Sequence, residues 1–236
     1  VTPSHHRVHH AINPEYLDKN HSQVFIIWDK MFGTFQEELP NVKPVFGITR
    51  PATTWNPIKI NFQHLFLLIK DAWRADNLKD KLTIWFKPTG WRPAGFEEKY
   101  PVKKIQNPYS FNKYHTYFNS IGLTWIWINF IITLAMLMLW FNAIGHMTLP
   151  AMLIYGFLMF LTVYAYTELM DQNPNATVFE TIKNAIGVYM FGFTNHFEAV
   201  YLSNPTLKYA IVGYFIIATL MSYWVIKSAH AAKTTI

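Results

Sequence analysis

The sequence predicts an all-α integral membrane protein: a helical opening segment, an interfacial region and about four transmembrane helices. Three observations carry this. Residues 114–167 contain no Asp, Glu, Lys or Arg, a gap of 54 residues that is far too long for a buried soluble helix. A second uncharged run, Tyr209 to Ile226, covers 18 residues. The composition agrees, with 51% hydrophobic, 17% aromatic and only 14% charged residues, where about 25% charged is usual. The net charge of +6 is also unevenly placed. Residues 1–120 hold 16 of the 20 Lys and Arg and 10 of the 14 Asp and Glu, so the remainder nets to zero. A basic half joined to spanning helices points to a membrane surface rather than to nucleic acid.

In chain order, the first element is His5-His6-Arg7-Val8-His9-His10, which gathers four of the ten histidines into six residues. In a helix, His6, His9 and His10 stand at i, i+3 and i+4 within about 100° of arc, with His5 at its margin. That spacing lets imidazoles converge on one metal or on two close metals. Imidazole suits iron, zinc, copper or nickel, so spacing alone names no metal, and a solvated cluster without a role has the same pattern. The absence of cysteine excludes thiolate zinc, iron–sulfur clusters, disulfides and a cysteine nucleophile.

Val24 to Trp28 is too short to span and reads as a core or interfacial piece. Gly33, Pro40, Pro44, Pro51 and Pro57 punctuate a loop-rich stretch, and Ile58 to Trp73 has amphipathic-helix spacing. From Trp73 to Tyr100, aromatic residues interleave with Lys and Arg, the composition of an interfacial belt. The long uncharged gap divides at a turn around Gly145 and Pro150. Ile121 to Phe141 then spans about 31 Å, close to a bilayer core. The expected spans are about 121–141, 149–169, 182–200 and 208–227. The third is weakest: Thr177-Val-Phe-Glu180 opens it as a capping box, and its uncharged part is short. Basic residues in the first half and Lys227 and Lys233 in the tail prefer the same, cytosolic side, which requires an even number of crossings.

Ser4 to Asn20 strongly resembles the last histidine box of the fatty acid hydroxylase/sterol desaturase superfamily, whose His-x-x-His-His maps onto His6, His9 and His10. Trp28-Asp29-Lys-Met-Phe32-Gly33-Thr34 looks like the signature that follows that box. Phe46 to Pro51, Asn56 to Phe66, Lys87 to Trp91 and Asp171-Gln-x-Pro174 are similar to its alkylglycerol monooxygenase branch. The sequence departs from that branch at His5, commonly another residue there, and at Gln63-His64, which stands where a His-His pair is expected.

The resemblance implies a membrane di-iron oxygenase that uses O₂ to hydroxylate a lipid. His6, His9 and His10 would be metal ligands, with His5 a weaker candidate, and no catalytic residue is expected beyond them. In the alkylglycerol branch tetrahydropterin supplies electrons, and in the sterol and fatty-acyl branches a cytochrome b5-type donor does. The superfamily builds its centre from roughly eight histidines in three boxes, so two further boxes are expected upstream, with this chain as the C-terminal portion and inactive alone. The membrane would be the endoplasmic reticulum in a eukaryote or the cell membrane in a bacterium.

The implied domains are 1–66, the end of the catalytic domain, 67–120, a basic and aromatic interfacial linker, and 121–236, the spanning helices. Asp18 and Asp29 can orient metal-bound imidazoles by accepting their second N–H. His21 reads as a surface histidine, Trp28 and Phe32 as packing or lining residues, and Glu168 and Asp171 as the boundary of the second span. The alternatives are a sterol or fatty-acyl hydroxylase or desaturase, and a membrane-anchored metal-binding protein without catalysis.

Overall fold

Helices and loops account for the described residues, apart from one isolated bridge between Ala11 and Phe46. The computed structural model describes residues 1–201, 204 and 206–234, with side chains described to residue 229. The chain forms two compact units, one of residues 1–53 and 63–114, the other of residues 54–62 and 115–236.

The first unit opens with α1 (Pro3–His9), which Thr2 caps and Pro3 starts. Helix α2 (Ile27–Phe32) ends at Gly33 in the left-handed conformation, φ 73°, where a side chain would be strained. Helix α3 (Pro57–Arg74) matches the expected 58–73 closely. Asn56 accepts from the Ile58 amide at 2.9 Å and Pro57 takes the first helical position. Its residues 57–62 belong to the second unit and 63–74 to the first. Helices α4 (Leu78–Thr83) and α5 (Phe96–Lys99) follow, with a 3₁₀ turn at Ile84–Phe86. Buried Asp71 of α3 takes Arg92 in a two-pronged pair at 2.6 and 2.9 Å, and the pairing raises the guanidinium's pKa despite partial burial.

The second unit is a helical bundle of α6 (Ser120–Ala143), α7 (Leu149–Met170), α8 (Ala176–Phe193) and α9 (Thr206–Thr234). Three of these, α6 with its 3₁₀ extension to His146, α7, and α9 over Thr206–Ala229, are long and apolar enough to cross a membrane. The bundle has an apolar core around Met136, Tyr155, Leu158, Phe191 and Phe215, and it carries apolar side chains on its outside as well. Ile121, Phe130 and Leu134 of α6 and Leu153 and Phe157 of α7 are exposed, while Asn129, Thr133 and Thr162 are buried. Apolar side chains on the outside, with a few polar groups drawn into the core, is the arrangement expected of helices facing lipid.

The expected span at 182–200 corresponds to α8. Helix α8 begins and ends about seven residues earlier and is not among the helices apolar enough to span. Nor does Thr177-Val-Phe-Glu180 cap it: the N-cap is Asn175, without a side-chain cap bond. Glu180 is instead drawn inside, bonded to Lys183 Nζ at 2.9 Å and to Ser222 Oγ at 3.2 Å. The same face of α8 places Asn184 on Thr219 at 3.1 Å, and Gly187 so close to Phe215 that a Cβ would lie 2.5 Å from its ring. These charged and amide groups lower the helix's hydropathy but lie within the bundle, whereas Val178, Ile182, Tyr189 and Phe193 face outward.

The start of α3 is tied to the end of α7 within this unit. Glu168, fully buried, accepts from Asn56 Nδ2 at 2.6 Å, Lys59 Nζ at 2.5 Å and Asn173. Asp171 accepts from the Trp55 amide at 2.7 Å and from the Thr54 hydroxyl. Residues more than 100 positions apart thus satisfy one another, and the buried Glu168 carboxylate is not left bare.

Candidate metal centre

Helix α1 holds the histidine run by burying its opposite face. Val8 is fully buried with Ala11 and Tyr16 against Val42. Val8 sits on one side of the helix, so His6, His9 and His10 are turned outward and are exposed. The helix is held at the side by Arg7, whose guanidinium meets Glu38 at 2.6 Å beside the Ser4 hydroxyl. Arg7 first, then Ser4, hold the Glu38 carboxyl below the usual carboxylate range.

The chain after α1 is folded by buried asparagines. Asn13 bonds the Lys43 carbonyl, the Tyr109 hydroxyl and the Val45 amide. Asn20, at φ 54°, bonds the His5 and Gln36 carbonyls and the Gln36 amide. Gly47 donates its amide to the His10 carbonyl at 3.2 Å, placing residues 46–48 beside the histidines. His6, Arg7, His10, Phe46, Gly47 and Ile48 line an open cavity of about 500 Å³.

Within the run, His6 Nε2 and His10 Nε2 lie 3.1 Å apart. Two imidazole nitrogens bonded to one ion at about 2.1 Å, and 90–109° apart, are separated by roughly 3.0–3.4 Å. The 3.1 Å separation is that of a hydrogen bond between the two rings and also falls within the bite of two ligands on one metal. His9 lies beside them, its ring 5.1 Å from His10 and 6.2 Å from His6, and His21 approaches His9 edge-on at 6.2 Å. Among the described residues, however, no group of three or more His, Cys, Asp or Glu is arranged to hold a metal. The residues fit two corners of a ligand shell and do not complete it.

The remaining candidates are placed differently. His5 accepts the Thr2 amide on Nδ1 at 3.2 Å, completing the α1 capping box, and its ring packs against Phe35 at 5.4 Å. Asp18 is exposed, and its backbone carbonyl, rather than its carboxylate, meets His21 Nε2 at 3.1 Å. The Asp29 carboxylate is buried and takes the His21 and Ser22 amides at 2.8 and 3.0 Å and the Thr34 hydroxyl at 2.7 Å. Burial alone would raise its pKa, but these hydrogen bonds outweigh it and hold the group well below the usual range. Asp29 and Gly33-Thr34 thus clasp the turn around α2. That turn presents His21 to His9, a proximity that no spacing in the sequence signals. Trp28 and Phe32 are exposed rather than packed.

A second cavity, about 360 Å³, is lined by residues that include Thr49, Arg50, His64, Thr89, Trp91 and Arg92. Three stretches singled out in the sequence, 46–51, 56–66 and 87–91, converge there. Arg50, at this cavity, donates to the Gln63 carbonyl at 3.3 Å.

No protein-family profile and no solved structure matches the chain. Known proteins do. The chain is 32% identical over 232 residues to alkylglycerol monooxygenase of Homo sapiens, covering 96% of this chain and 49% of that protein. It is 31% identical to alkylglycerol monooxygenase of Xenopus tropicalis, over 98% of this chain and 50% of that protein. A shorter match, 41% over 93 residues, relates it to the Danio rerio protein of the same name and covers 39% of this chain and 20% of that protein. The chain spans about half the length of the curated relatives that it matches most fully.

Proposed function

Because this chain belongs to the superfamily of the alkylglycerol monooxygenases, we propose that it is part of a membrane oxygenase that cleaves alkylglycerol ether lipids. The observation that carries the reading is the likeness along 96% of the chain, together with the 3.1 Å pair of imidazole nitrogens in the matching histidine box. In this reading His6, His9 and His10 are ligands of a di-iron centre whose other ligands are further histidines of the full-length polypeptide. Iron would supply O₂ activation. One oxygen atom enters the C–H bond beside the ether oxygen, the other leaves as water, and two electrons come from the donor. The resulting hemiacetal collapses to an aldehyde and glycerol. The donor is tetrahydropterin, with a cytochrome b5-type protein as the alternative. The first half of the chain and the C-terminus face the cytosol, of the endoplasmic reticulum in a eukaryote.

The incomplete ligand shell among the described residues favours one second reading, a membrane-anchored metal-binding protein without catalysis. Full-length protein in its membrane separates the two. The oxygenase predicts about two irons per chain and tetrahydropterin-dependent aldehyde release from an alkylglycerol. His6→Ala and His10→Ala should each lose iron and activity together. Retained iron and activity in both variants would overturn the ligand assignment. Stoichiometric metal with no turnover by either donor, on ether, sterol or fatty-acyl lipids, would leave the second reading.

A further inference from the structure

Trp73 and Phe86 are 85% and 89% exposed, which leaves two of the largest apolar side chains of the first unit almost wholly uncovered. They are not isolated. On α3, Leu65, Ile69 and Trp73 repeat every four residues and all are exposed; on α4, Leu78 and Leu82 continue into Phe86 in the same way. Each helix therefore presents one apolar stripe. The face of α3 away from its stripe is the one the unit uses: Asp71, about 160° round the helix from Ile69, is buried against Arg92.

The charges follow the stripes. At about 100° per residue, Lys79 and Lys81 fall roughly 80° to either side of the Leu78–Leu82 line, and Asp80 falls opposite it. Asp80 is held there by Asn77, whose side chain bonds both its amide and its carboxylate at 2.7 Å. On α3, Lys70 and Arg74 are exposed and lie about 100° and 140° round from Ile69, both on the same side of the stripe. An apolar face with aromatics, lysines along its margins and the acid at its back matches a bilayer interface. There the rings sit at headgroup depth, and the lysine stems reach up to anionic lipid.

We propose that the α3 stripe of Leu65, Ile69 and Trp73 and the stripe of Leu78, Leu82 and Phe86 after it are membrane-seating surfaces, inserted in the interfacial layer of one leaflet. Their occupant is lipid with anionic headgroups. The proposal rests on the chain lying in a membrane, which the three candidate spans support, and not on any activity. The two stripes would hold the unit that carries the histidine helix at the layer where amphiphiles present their polar ends.

These 236 residues contain no cysteine, so single cysteines placed in them carry an environment-sensitive fluorophore once any cysteine elsewhere in the full-length protein is replaced by serine. Full-length protein is placed in vesicles containing anionic lipid, with nitroxide-labelled lipid as quencher. Trp73→Cys, Leu82→Cys and Phe86→Cys test the face, Glu98→Cys is the control on the same unit, and Leu220→Cys, exposed on α9, is the control for a span. The expected result is that the three face labels lose more than about half of their emission, as interfacial burial requires, while Glu98 does not. Quenching at Leu220 but not at the face overturns the proposal alone, and quenching at neither overturns the membrane reading with it. Face labels shielded from aqueous iodide but untouched by nitroxide lipid would mean that protein covers the face, which also overturns it.

Discussion

Asp29 shows what a buried carboxylate costs and what offsets that cost. Its desolvation is outweighed by hydrogen bonds from Thr34, Ser22 and His21, so the folded group titrates below its unfolded value. A depressed acid contributes stability that is full above the unfolded pKa, about 3.9, and fades as pH falls toward the folded value. Thermal unfolding of the full-length protein should therefore shift downward on acidification below about pH 4. Asp29→Asn should be less stable at pH 7 and should have a flatter acid limb. An unchanged slope would mean that Asp29 does not clasp the α2 turn. His5 makes a contrasting case. Its Nδ1 closes the α1 capping box, so His5→Ala should cost at most about 1 kcal/mol of stability and, if His6 and His10 are the ligands proposed above, should leave the iron content unchanged. Iron lost in His5→Ala to the same degree as in His6→Ala would make it a ligand after all.

Among the elements, α8 departs furthest from its sequence. Glu180 and Lys183 are both buried, and the pair is held by Ser222 across to α9. Removing one member leaves the other charge bare, so Glu180→Leu or Lys183→Leu alone should destabilise by about 3–5 kcal/mol. The double replacement should recover most of that loss, because the pair's own desolvation disappears with it. Unfolding in detergent, read by far-UV dichroism over the four variants, gives the coupling. A double variant as unstable as the sum of the singles would show that the two residues do not act on each other. The apolar runs made α6, α7 and α9 legible within a few residues, since a bilayer core dictates length and hydropathy together. Helix α3 was legible from its period. Helix α8 was misplaced because a paired carboxylate and ammonium read as exposed boundary residues when the partner is unseen. The candidate site divides in the same way. His6 and His10 follow from helical spacing. The clasp of His21 by Asp29, and the ties of Asn13 to Tyr109 and of Glu168 to Asn56, join residues up to 112 positions apart that no local pattern links.

The number of crossings is a property of the whole chain, and it sets which side the histidine helix occupies. The second unit exposes apolar side chains on all four helices, so α8 shares the outward apolar character of its neighbours despite its lower hydropathy. Its 18 residues extend about 27 Å, slightly less than a typical 30 Å core, a mismatch that local thinning absorbs at small cost. The charge placement agrees. The first 120 residues carry all of the net +6, Lys227 follows the last apolar run, and both prefer the cytosolic side, which four crossings satisfy and three do not. Four crossings are therefore expected. Asn119 and Asn175 then face the cytosol with the tail, and Gly145 and Asn195 face the opposite side. Single cysteines at these four positions, labelled in sealed vesicles by a membrane-impermeant maleimide, decide the matter. Protection of 145 and 195 together, with 119 and 175 reactive from the cytosolic side, fits four crossings. If 195 reacts with 175, α8 does not cross, and α9 carries the tail to the side opposite the histidine helix.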